Sequence, residues 1–208
     1  MEHLKSINLG VIKMDETRIC NMALGFLGAN LVTNYRVDES EEAELCRVNF
    51  EISRRYCLEE ADWTFASDMV VLSALADTPA FKYSRAFQLP SDCLVVRSVS
   101  LSSNMSNTLP YLKQNTQLYA NAENLYIRYT CDEKNINVFS ANAIFALAYK
   151  LASLMALPLT ESRKTQETME ALTLRYLEKG GGIDGSQSRV APFKTGKILT
   201  SRRTGIIQ

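Results

Sequence analysis

Residues 57–96, CLEEADWTFASDMVVLSALADTPAFKYSRAFQLPSDCLVV, hold the chain's one tryptophan, Trp63, where the apolar pattern changes. Up to Trp63 the apolar residues recur at helical spacing. Beyond it they alternate or cluster as in strands. Phe65 follows two residues on, and the Leu89-Pro90 corner lies further along. We read Trp63, Phe65, Leu89 and Pro90 as a structural junction, because a large rigid ring packed into both sides fixes the angle between helices and strands.

Working outward, Asp15 caps a first helix, with Met14 and Ile19 as a hydrophobic staple and Gly28 as its end. Ile19, Met22, Ala23, Phe26 and Leu27 share one face of it. A second helix starts near Asp38 or Ser40 and runs to about Asp62. Ala43, Cys46, Phe50, Cys57 and Ala61 form its stripe. Leu45, Val48 and Ile52 widen that stripe, which predicts packing against two neighbours. Strands are expected at 69–72, 83–89, 93–101, 117–120 and 125–130, with turns at 77–79 and 90–92 and a loop over 102–110. A third helix over 139–157 is apolar nearly all round, and Pro158 should stop it. Thr160 or Ser162 caps a fourth helix, with Thr165, Met169, Leu172 and Tyr176 on one face, ended by Gly180-Gly181-Gly182. The expected fold class is α+β. An antiparallel helical bundle (15–66 and 138–179) is split in sequence by a small antiparallel β domain (67–137). An N-terminal extension (1–14) and an extended C-terminal arm (180–208) complete the chain.

The chain has 208 residues, 46% apolar and 22% charged, and formal net charge zero, which are ordinary values for a globular protein. Nothing global argues for nucleic acid or an anionic membrane. Residues 1–14 lack the apolar core of a secretion signal, so the expected site of synthesis is the cytoplasm. The most apolar stretch, 141–157, contains Asn142 and Lys150 and reads as a buried helix instead of a membrane span. Cys20, Cys46, Cys57, Cys93 and Cys131 are odd in number and widely spaced, so reduced and mostly buried thiols are expected.

The chain offers little for catalysis. His3 is its one histidine, which disfavours a Ser-His-Asp triad or a Cys-His dyad. No phosphate-loop, dinucleotide, EF-hand or HExxH pattern occurs. Glu59 with Glu60, or Glu39, Glu41, Glu42 and Glu44, offer carboxylate pairs of the kind glycoside hydrolysis uses. Sequence neighbours point apart on a helix, however, and acids in a first turn are already explained by the helix dipole. No catalytic residue, cofactor or metal is therefore expected.

From 180 onward the composition changes to Gly, Ser, Thr and basic residues. Arg189, Lys194, Lys197, Arg202 and Arg203 face a single acid, Asp184. Val190, Phe193, Ile198, Leu199, Ile206 and Ile207 are spaced among them. Apolar anchors among basic residues suit an arm that orders on a partner.

The pattern Ala43-x-x-Cys46, Phe50-Glu51-x-x-Arg54-Arg55-x-x-Leu58, Trp63-x-Phe65-Ala66 resembles the tail tubular protein A family, the head-to-tail adaptors of short-tailed phages. So does Tyr83-x-x-Ala86-Phe87-x-Leu89-Pro90-x-Asp92-Cys93-Leu94, with Phe87 in place of the usual Tyr. Leu125-Tyr126-Ile127-Arg128-Tyr129 before the apolar third helix also resembles that family's return to the bundle. The resemblance spans roughly residues 15–179. It implies a structural, non-enzymatic protein of the virion tail at the head–tail interface, forming a ring, usually of twelve copies. Its partners would be the portal protein, the tail nozzle protein and the tail fibres, with genomic DNA passing the lumen without specific binding and no membrane involved. The arm residues Arg189, Phe193, Lys194, Lys197, Ile198, Leu199, Arg202, Arg203, Ile206 and Ile207 would bind the portal or a neighbouring subunit. Two other readings stand beside it: a peptidoglycan hydrolase carried on an adaptor-like fold, and a nucleic-acid-binding protein that uses the basic arm.

Overall fold

Helix α1, Glu16–Leu27, begins where the Asp15 side chain accepts from the Arg18 N–H, and it ends at Gly28 with φ 70°. That left-handed turn favours a residue without Cβ. The computed structural model describes residues 14–76, 79 and 81–187, with side chains up to Gly181. The N-terminal extension up to residue 13, with His3, and the turn residues Asp77 and Thr78 lie outside the described residues.

After α1 the chain crosses to α2, Glu41–Glu60, capped by Ser40. The crossing is pinned by Asn21, whose amide both donates to and accepts from the Val32 backbone, and by Arg47, which donates to the Tyr35 and Asp38 carbonyls. A short 3-10 turn, Thr64–Ala66, leads into the strands. These are β1 Ser67–Ser73, β2 Arg85–Gln88, β3 Cys93–Ser100, β4 Leu112–Gln114, β5 Gln117–Ala120 and β6 Asn124–Cys131. All their pairings are antiparallel, in two three-stranded sheets of order β1-β6-β3 and β2-β5-β4. The two sheets share one buried cluster that includes Leu72, Phe87, Val99, Leu118, Leu125 and Ile127.

The chain returns to helix in α3, Ala141–Thr160, capped by Ser140, and α4, Arg163–Gln187. The Ser162 hydroxyl accepts from the Thr165 N–H at the start of α4. All four helices contribute to a second buried cluster. Helix α3 lies against α1, α2 and α4, and its buried residues include Ala143, Ala146, Ala148, Ala152 and Ala156, small side chains that let neighbours come close. By length and composition alone α3 could cross a membrane, and half of that stretch is buried inside the fold.

The mixed α+β class and five of the six strands match the expectations from sequence. Four details differ. Strand β4 was missed because it has only three residues, all exposed, and so carries no alternation; the turn at Asn115, φ 54°, joins it to β5. Pro158 does not stop α3. It sits inside the last turn, where one missing N–H costs little cooperativity, and the helix closes at Glu161 with φ 52°. Helix α2 does meet more than one neighbour, α3, α1 and β3, but Val48 and Ile52 take no part in it: they are 66% and 63% exposed.

The fourth difference decides how the helices close. Gly180-Gly181-Gly182 does not end α4, which continues to Gln187, so residues 180–187 belong to the helix and not to the arm. A Cβ at Gly180 would lie 2.1 Å from two ring atoms of Trp63. The glycine is there because the helix backbone rests against the rim of the indole. At Gly181 the nearest atom to a built Cβ is that of Ala61 at 3.9 Å, an ordinary contact.

The two glycines therefore make a matched test. Gly180→Ala should destabilise the protein by about 1–3 kcal/mol through overpacking against the ring. Gly181→Ala should be neutral, or stabilising by up to about 1 kcal/mol, through helix propensity. Trp63→Ala should cost about 3–5 kcal/mol. Urea unfolding of the three variants measures all of this, and equal behaviour of the two glycine variants would mean that α4 does not rest on Trp63.

Candidate functional site

Helix α2 has no basic residue in its last turn. The missing charge comes from a strand. Val96 pairs with Tyr129 and Ser98 with Arg128, so Arg97 is an extra residue between adjacent partners, a β-bulge. Bulges re-aim side chains, and this one turns Arg97 toward the helix. Its Nη2 donates to the carbonyls of Leu58, Glu59 and Ala61 at 3.1, 2.8 and 2.8 Å, while Nε donates to the Thr130 hydroxyl at 2.7 Å. One guanidinium thus satisfies orphan carbonyls and complements the negative end of the helix dipole.

Two further arginine clamps join helix to strand. Arg128 of β6 grips Asp62, just past α2, through two hydrogen bonds of 2.7 and 2.8 Å. Arg54 of α2 is 1% exposed. It donates to Asp132, just past β6, at 2.7 Å, to the Glu133 carbonyl at 2.6 Å, and to Glu51. Arg55 takes the other oxygen of Asp132 at 2.9 Å. Burial works against the charge on Arg54, but the Glu51 and Asp132 carboxylates more than offset it and hold its pKa up. Burial raises the Asp132 carboxyl, and hydrogen bonds from Arg55 and Arg54 outweigh that and bring it below the usual range. The Arg128 hydrogen bonds hold Asp62 low in the same way.

Of the junction residues expected from sequence, the structure brings Trp63 and Phe65 together but sets Leu89 and Pro90 apart. Trp63 is 1% exposed, donates from Nε1 to the Cys57 carbonyl at 2.8 Å, and stacks on Phe65, which contacts Phe139. It belongs to the helical cluster. Leu89 belongs to the strand cluster, and its N–H donates to the Thr116 carbonyl at the β4–β5 hairpin. Pro90 lines a surface cleft of about 460 Å³ there with Asn115 and Thr116. The arm residues Arg189, Phe193, Lys194, Lys197, Ile198, Leu199, Arg202, Arg203, Ile206 and Ile207 lie outside the described residues. Sequence reading did not single out Asp62, Arg97 or Asp132, quoted Arg54 and Arg128 only as motif residues, and read Gly180 as a helix end. The available signal was a charged residue inside an otherwise apolar strand, Arg97 in CLVVRSV, and two arginines on a helix beside its buried stripe.

Other clusters serve packing. Lys150 donates to Glu170 at 2.9 and 3.0 Å and sits over the Tyr56 ring, and the Ser153 hydroxyl, 2% exposed, donates to the same carboxylate. This network ties α3 to α4 and α2. All five cysteines are free, three buried and two half-buried, and burial pushes the Cys57 thiol up to about 12. Glu59 and Glu60 are exposed at the end of α2. Among the described residues no group of three or more His, Cys, Asp or Glu side chains is arranged to hold a metal. No family model matches the chain, and no curated protein matches it.

The clamps predict an acid response. Asp132 and Asp62 have folded-state pKa values below the ordinary carboxylate value, so their contribution is complete above about pH 4 and is lost as pH falls through the folded values. Arg54→Ala should cost about 3–5 kcal/mol at neutral pH, because it removes a fully buried side chain, breaks its pair with Asp132 and takes the donor from the Glu133 carbonyl. Melting temperatures from pH 7 to pH 2 should fall steeply below pH 4 in the parent and less steeply in Asp132→Asn. Parallel curves would mean that Asp132 carries no folding-linked charge.

Proposed function

We propose that this chain is a structural virion protein, a head-to-tail adaptor that forms a ring, of twelve copies by the family resemblance, between the portal and the tail nozzle. In this reading the four helices are a bundle split in sequence by an inserted β domain. The bundle meets the portal, the β domain faces the nozzle and tail fibres, and the lumen passes the genome without binding it specifically. The protein is made in the host cytoplasm, ends in the virion, acts without cofactor, and is not an enzyme.

The observation that carries the reading is the rigid coupling of helices to strands. Arg97, Arg128 and the Arg54–Asp132–Arg55 cluster span the boundary in three places. A subunit that must repeat one geometry around a closed ring needs such fixed internal angles. Residues of the resembling motifs contribute to this joint: Arg54 and Arg55 clamp Asp132, and Trp63 and Ala66 are buried beside it.

The test mixes the full-length protein with its portal rings and images the product by electron microscopy. Complete rings should form on the portal even if the free protein is monomeric, because the portal raises the local subunit concentration. Single bound copies at saturating protein would sink the adaptor reading.

A further inference from the structure

The unused face of α2 has a definite chemical order. Val48 and Ile52, both exposed, lie one turn apart on it. Glu41 and Glu59 share the stripe toward either end. Glu44 and Glu51 lie along one side of it, 65% and 59% exposed and paired with Arg47 and Arg54. Arg55, which shares the stripe, is tied to Asp132. Along the helix the order is acid, apolar pair, acid. The stretch 193–203, FKTGKILTSRR, has the complementary order: Lys194 and Lys197, then Ile198-Leu199, then Arg202 and Arg203. The lengths agree. From Glu41 to Glu59 the helix rises about 27 Å, and from Lys194 to Arg203 an extended chain spans about 30 Å.

We propose that the outer stripe of α2 is the docking surface for residues 193–203 of a neighbouring copy of this chain. The apolar pair covers Val48 and Ile52, and the flanking basic residues face the glutamates. The neighbour as occupant rests on the ring reading above. The stripe lies on the side of α2 away from α3, the helix that α4 packs against. A stripe on one copy and a segment from the next are two different surfaces, which is the heterologous contact a ring is built from.

The test uses two full-length proteins, Ile52→Cys and Leu199→Cys, mixed in equal amounts at high concentration with a bismaleimide cross-linker. Each protein alone controls for the native cysteines, of which Cys93 and Cys131 are the half-buried ones. The mixture should give a dimer-mass product several-fold above either control. Adding Val48→Asp, or Glu41→Lys with Glu59→Lys, to the Ile52→Cys copy should cut that product several-fold. A mixture no better than its controls overturns the proposal. So does a doubly substituted chain that cross-links only within itself, or a yield unmoved by both sets of changes. Portal rings that form without this cross-link would remove the contact and leave the adaptor reading. The cross-link without portal binding would leave the contact and remove the adaptor reading.

Discussion

Arg97 on the end of α2 is the contact from which the rest of the architecture follows. A helix that ends beside another element leaves carbonyls without partners, and burying them costs free energy unless donors arrive from elsewhere. Here the donor comes from a bulge in β3, so the strand cannot shift register without uncapping the helix. Arg128 on Asp62 and Arg54 on Asp132 then fix two more points on either side. Three separate contacts restrict rotation as well as translation. The coupling is chiefly polar and directional, whereas the helical and strand clusters on either side are apolar. Hydrophobic burial holds each cluster together without specifying an angle. The hydrogen-bonded arginines supply the angle.

Trp63 acts on the helical side of this boundary. Its ring supports α4 at Gly180, and its N–H holds the end of α2 at Cys57. The indole therefore links the second and fourth helices, which are distant in sequence. Arg97 in turn binds the last carbonyls of that same helix end. The end of α2 is thus held by a tryptophan at Cys57 and by an arginine at Leu58, Glu59 and Ala61.

Elements with strong local signals were legible in the sequence. Asp15, Ser40 and Gly28 cap helices as their chemistry demands, and the period-two strands fall close to where alternation places them. What escaped was set by partners remote in sequence. A glycine triplet reads as a helix end because glycine weakens helices, yet Gly180 is required by a ring more than a hundred positions away. Pro158 reads as a stop, yet the last turn tolerates it. Of the candidate site, the buried Trp63–Phe65 pair was legible, but the arginine clamps were not. A bulge has no sequence signature, and an arginine in a strand is indistinguishable from a solvated one until its helix is placed. Of the three residues read as widening the stripe of α2, Leu45 packs on the helical cluster, whereas Val48 and Ile52 stay exposed, a difference that apolar spacing alone does not reveal.

In the proposed adaptor ring, a rigid joint and an open helix face would be two halves of one requirement. In a ring of twelve each copy turns the chain of contacts by about 30°, and closure needs that angle in every copy. An angular error inside the subunit adds to the error at each interface, so a loose joint between helices and strands would leave the ring open or variable in number. In the proposed ring the clamps would remove the internal share of that error, and the remainder would be set at the surfaces between copies, where an exposed apolar pair flanked by acids on a helix is a better reference than the same side chains on a loop. Its position relative to the strands is fixed through Arg54 and Arg55, which lie on α2 itself, only one turn from Ile52. The residues that lock the subunit and the residues left free to meet another are neighbours on one helix, so the orientation of that outer face is determined by the same contacts that hold the fold.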